Sequence, residues 1–133
     1  MRLDPEVVRD VLFAIESANF RQKITVQWLT EQTEQQFDEV WYTCIKLQEA
    51  GYIELNATKQ VRAPLPVISA IRGLTYQGHE FLNQVRDDTN WGKIKEIGKR
   101  AGVISLGYIA EIAKAVTTSA VTAALQGNRG QKS

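Results

Sequence analysis

QQFDEVWYTCIKLQEAGYIEL, residues 35–55, carries the transition on which the fold turns. Phe37, Val40, Trp41, Cys44 and Leu47 are spaced so that they draw one apolar stripe down a helix. That spacing predicts a helix over residues 35–50, entered through Thr33 or Glu34. Gly51 then stands where a left-handed residue commonly closes a helix. Directly after it the period changes, and Tyr52, Ile53 and Leu55 read as a short strand.

Upstream, Asp4-Pro5 is a helix start: the carboxylate can accept from orphan amides, and proline has no N–H to leave unpaired at the first position. Val8, Val11, Leu12 and Ile15 continue at helical spacing until Ser17-Ala18-Asn19. Lys23-Ile24-Thr25-Val26 is β-prone, and a short helical piece over residues 27–31 turns Trp28 and Leu29 inward. Downstream, residues 56–60 read as a turn and residues 67–71 as a second strand. Pro64-Leu65-Pro66 makes the connection between the strands a long irregular loop, because proline cannot donate to a ladder. A helix then starts at Leu74-Thr75 with Thr75 as its cap and Phe81, Leu82 and Val85 as its buried stripe.

The order helix, short strand, helix, helix, strand, loop, strand, helix is that of a winged helix. Three helices carry the core, a three-stranded sheet covers one end, and the loop between the last two strands is the wing. Residues 1–90 are assigned to this domain and residues 91–126 to a helical extension. In the extension, Asp88 or Thr89 caps a helix ending at Gly102, with Trp91, Ile94 and Ile97 on its inner side. Ser105 starts a last helix to about residue 125, striped by Ile109, Ile112, Val116, Ala120 and Ala123. Residues 127–133 read as a polar, frayed tail. The fold class is mostly α with a small antiparallel sheet: a winged helix, related to the helix-turn-helix, plus two C-terminal helices.

Leu74-Thr75-Tyr76-Gln77-Gly78-His79-Glu80-Phe81-Leu82, followed by Arg86-Asp87-Asp88 and Trp91, resembles the bacterial family called domain of unknown function 2513. Asp4, Val8-Arg9-Asp10 and, mid-chain, Leu47 with Glu49-Ala50-Gly51-Tyr52-Ile53 add to the resemblance, which spans most of residues 1–115. It implies the winged-helix fold and a setting in prophages and other mobile elements. It implies no activity and no catalytic residues.

The composition excludes several classes. With 133 residues, one Cys and one His, the chain has neither a disulfide framework nor a zinc site built from several thiolates and imidazoles. His79-Glu80 lacks the second His four residues on that a zinc-protease helix needs, since position 83 is Asn. Asp87 and Asp88 are adjacent and so do not face one another on a helix. Cys44 lies on an apolar stripe, where a thiol is inert. The glycines match no phosphate-binding loop. No catalytic residue, metal or small-molecule cofactor is therefore expected. The N-terminus has no apolar core behind a basic start, so a cytoplasmic location is expected. Glu111 and Lys114 inside the last helix argue against a membrane span.

A net charge of +1 conceals a polarised chain. From Thr30 to Asn56 the balance is −5, with Lys46 the lone base. Lys59, Arg62 and Arg72 make the wing +3, and Lys93, Lys95, Lys99 and Arg100 against Glu96 make residues 91–102 +3 as well. A recognition helix runs between two phosphate rows, so one that begins with Glu34, Asp38 and Glu39 is repelled by phosphate, which weakens the DNA case without closing it, since Gln35, Gln36 and Thr43 can still read base edges. Two expectations follow. A DNA-binding regulator would grip phosphate through Lys59, Arg62, Lys93, Lys95, Lys99 and Arg100. Alternatively, a protein-interaction module or homodimer would use Glu34, Asp38 and Glu39 together with Ile109, Ile112 and Val116. No motif stands behind an enzyme.

Overall fold

The computed structural model describes residues 1–58, 65–102 and 105–131. Its elements are α1 (Pro5–Ser17), α2 (Val26–Thr33), α3 (Phe37–Glu49), β1 (Ile53–Thr58), β2 (Val67–Leu74), α4 (Tyr76–Val85), α5 (Asp88–Ala101) and α6 (Leu106–Gln131). Three helices followed by a two-stranded antiparallel hairpin, with helices after it, match the winged-helix arrangement expected from the sequence. The chain divides into two compact units, Met1–Leu82 and Asn83–Ser133.

In the first unit, Asp4 caps α1 by accepting the Glu6 N–H at 2.9 Å, with Pro5 in the first turn. The inner face of α1 buries Val7, Val8, Val11, Leu12 and Ile15 among Leu29, Val40, Cys44 and Leu47 from α2 and α3 and Ile53 and Ile71 from the strands. A cap of this kind contributes about 1 kcal/mol, whereas truncating any one of the fully buried leucines costs about 2–5 kcal/mol. Packing therefore outweighs local punctuation in holding the unit together.

The expected third strand shrinks to a single bridge. Ile71 donates its N–H to the Ile24 carbonyl at 2.8 Å, and pairing stops there. The reason is Thr25, whose hydroxyl accepts the Trp28 N–H at 3.0 Å and so starts α2. Helix α3 also begins later than its stripe suggests. Glu34 takes a left-handed conformation (φ 57°) and Gln36 occupies the capping position without a side-chain bond. Phe37, read as core, is consequently 48% exposed at the first position of the helix.

The exit from α3 follows the sequence reading. Gly51 is left-handed at φ 81°, and the Tyr52 N–H reaches back to the Leu47 carbonyl at 2.9 Å. Onto this turn docks the start of α4. Thr75 donates its hydroxyl to the Gly51 carbonyl at 2.5 Å and accepts the Gly78 N–H at 3.0 Å. Its own N–H donates to the Tyr52 carbonyl at 3.0 Å, while the Tyr52 ring stacks on Phe81 with centroids 4.9 Å apart.

In the second unit the cap of α5 is Asp87, not Asp88 or Thr89: its carboxylate accepts the Asn90 N–H at 2.8 Å. Gly102 closes the helix at φ 70°. Trp91, Ile94 and Gly98 form the buried face, which leaves Ile97, expected inside, 44% exposed. Ser105 accepts the Tyr108 N–H at 3.1 Å at the head of α6. Leu106, Ile109, Ile112 and Ala113 are buried, but the inward stripe ends near Val116, and residues 118–127 are exposed on every side. At 1.5 Å per residue α6 is roughly 39 Å long and α5 roughly 21 Å, so α6 outruns the helix it packs on. It continues through residues 127–131, where a frayed tail was expected.

Candidate functional site

The first residues of α3 and of β2 meet beside the first turn of α2. Trp41, one turn into α3, donates its indole N–H to the Pro66 carbonyl at 3.2 Å, a link between positions 25 residues apart. Around that link lies a groove of about 430 Å³ whose lining includes Val26, Phe37, Asp38, Trp41, Leu65 and Val67. Leu65 is 56% and Val67 43% exposed, so with Phe37 they form an apolar patch that no described residue covers. Leucine and valine flanking a proline, in a loop where polar residues are the rule, were the available sequence signal. By helical spacing alone Phe37 and Trp41 belong to the core stripe.

Among the described residues Asp38 is the one charged side chain that lines the groove. Glu34, Asp38 and Glu39 are all exposed and make no ion pair among the described residues. The one base of α3, Lys46, is held by Glu49 at 3.0 Å. That hydrogen bond and the carboxylate charge raise the Lys46 pKa. No basic side chain lines the groove among the described residues.

In the second unit, Lys93, Lys95, Lys99 and Arg100 are all exposed on α5. Glu96 lies among them and takes Arg100 as partner at 2.7 Å, while the Lys95 ammonium sits 5.7 Å from the Trp91 ring centre. These four therefore share one helix, as expected. Lys59 and Arg62, the other two expected phosphate contacts, lie outside the described residues. Of the residues expected to meet a partner, Ile109 and Ile112 are buried and Val116 is half-buried beside Ile97 in a shallow cleft between α5 and α6. Ile109 and Ile112 therefore stabilise the helix pair instead of offering a free surface.

The stretch that carries the resemblance has a structural explanation. Leu74 ends the ladder, Thr75 ties α4 to the Gly51 turn, Gly78 permits contact with Tyr52, and Phe81 and Leu82 are core. His79 and Glu80 point to solvent. Among the described residues no three His, Cys, Asp or Glu side chains come together as a metal site. No helix among them is long and apolar enough to cross a membrane.

No curated protein and no solved structure matches the chain. A family model, described as hypothetical protein (DUF2513), matches residues 2–104, from the start of the chain through α5. The chain belongs to the DUF2513 hypothetical-protein family.

Proposed function

We propose that this chain is a non-enzymatic binding module whose winged-helix-like unit engages another polypeptide. The observation that carries this reading is the apolar groove at the start of α3, lined by Asp38, with Glu34 and Glu39 exposed close by in sequence and none of the three carboxylates ion-paired among the described residues. An exposed aromatic–aliphatic patch suits a protein partner. The same carboxylates oppose entry of α3 into a major groove, where phosphates line both sides. Their charge favours a basic partner and speeds its encounter. The expected role in phage regulation rests on the family resemblance alone.

Charge reversal tests the reading. A Glu34→Lys, Asp38→Lys, Glu39→Lys variant is expected to keep its circular dichroism and thermal transition yet to lose a protein that the wild type retains from bacterial lysate at physiological salt. Retention of the same protein by the variant would sink the proposal.

DNA binding is a second reading, supported by the exposed basic face of α5. Here the contacts would be to phosphate, which fixes position without reading sequence. Replacing Lys93, Lys95, Lys99 and Arg100 by Ala is then expected to lower duplex affinity and to reduce the slope of log K against log salt by roughly 3–4, about 0.9 for each lost contact. If the wild type shows no salt-dependent binding to any duplex, this reading is excluded.

A further inference from the structure

Strand β2 has one edge occupied and one open. β1 pairs with it from Ile53↔Leu74 to Thr58↔Val67. On the opposite edge, among the described residues, only Ile24 bridges to Ile71. An antiparallel strand continuing from Ile24 would run past positions 70, 69 and 68. The chain instead turns away into α2, and the groove beside Thr25 and residues 65–69 occupies the place that strand would have filled. Positions 67–70 thus leave roughly 13 Å of unpaired edge, at about 3.3 Å per residue.

Exposed edges are usually guarded by lysine, by inward-pointing charge or by very short strands. Leu65-Pro66-Val67-Ile68-Ser69-Ala70-Ile71 contains no charged residue, and Pro66 only marks where the open stretch ends. An apolar, uncharged edge beside an apolar groove is the arrangement used for strand addition, in which main-chain bonds give affinity and alternate side chains enter pockets.

Building on the proposed protein-binding role, we infer that this edge accepts an extended segment of a partner as a third strand of the sheet. An apolar side chain of that segment seats beside Phe37 and Trp41, and a neighbouring Lys or Arg meets Asp38. Asp38, the one charged side chain of the groove lining among the described residues, selects the basic residue, and the open edge selects the extended conformation. The partner is therefore a basic segment of alternating pattern, not a helix and not a nucleic acid.

A random nine-residue peptide library panned on the full chain supplies the probe. Enriched peptides are expected to alternate apolar with other residues and to carry Lys or Arg. In fluorescence anisotropy, Asp38→Lys and Phe37→Ser are each expected to weaken the best peptide at least tenfold. N-methylating alternate peptide amides abolishes binding in one register and spares it in the other, and bound peptide slows amide exchange over residues 67–70. If both N-methylated peptides bind like the parent while Asp38→Lys still weakens them, strand addition is wrong and the protein-binding reading stands. If no peptide is enriched, or the enriched peptides are acidic and indifferent to Asp38→Lys, both fail.

Discussion

Gly78→Ala is expected to destabilise the first unit by about 3 kcal/mol or more, although alanine is intrinsically the better helix former by about 1 kcal/mol. A β-carbon built on Gly78 falls 2.0 Å from the Tyr52 carbonyl oxygen and 2.9 Å from the carbonyl carbon. Both atoms are backbone, so no rotamer change relieves the clash. That carbonyl also accepts the Thr75 N–H at 3.0 Å, so moving it away breaks the bond that seats α4. The alternative is for α4 to lift off the Gly51 turn, which strains the Thr75 hydroxyl bond and the Tyr52–Phe81 stack. Gly92→Ala is the internal control: Gly92 is an exposed helical glycine with nothing within 4 Å of the added carbon. There propensity acts alone, and a gain of about 0.5–1 kcal/mol is expected. Urea unfolding followed by circular dichroism measures both. A loss of less than 1 kcal/mol at Gly78 would mean that the α4 docking geometry is wrong.

The two glycines also show what kind of information the sequence held. Capping residues, closing glycines and apolar stripes are local, and Asp4, Gly51, Thr75, Gly102 and Ser105 act as their types and spacings suggest. Local signals mislead where two of them compete. Asp87 and Asp88 are both good caps, and only the path of the backbone chooses between them. Thr25 could extend a strand or cap a helix, and capping wins because its N–H partner is already placed three residues on. Stripes fail at places nothing covers: Phe37 heads its helix, and Ile97 lies to one side of the Trp91–Ile94–Gly98 face.

The groove is a different case, because it exists only after residues 25 apart are joined through Trp41 and Pro66. Periodicity registers that an apolar residue is on a helix face but not whether a neighbour arrives to cover it. The charge asymmetry, by contrast, was fully visible in the sequence, since ionised side chains seek solvent wherever the fold puts them. Glu34, Asp38, Glu39 and the four cations of α5 are all exposed.

Cys44 is expected to be at least a thousandfold slower to react with thiol reagents in the native chain than in the unfolded one. Its side chain has no exposed surface, and burial pushes the thiol pKa from 9.0 up to about 12. Near neutral pH such a shift lowers the thiolate fraction by roughly three powers of ten, and the thiolate is the attacking species. Ionisation linkage gives the same residue a second signature. A folded pKa above the unfolded one carries no penalty below about 9.0, and stability falls as pH rises from there towards 12. The slope contributed by one such group is about 1.4 kcal/mol per pH unit. Tyr52, raised by burial, and Lys46, raised by Glu49, act in the same alkaline direction. Cys44→Ala removes one of these contributions but leaves a small cavity, so it should lower stability at neutral pH while flattening the alkaline decline. Urea midpoints measured from pH 7 to pH 11 for both chains separate the two effects. Parallel pH profiles would show that Cys44 does not ionise on unfolding in this range. Fast native-state labelling at neutral pH would show that the α3 stripe opens far more readily than its packing implies.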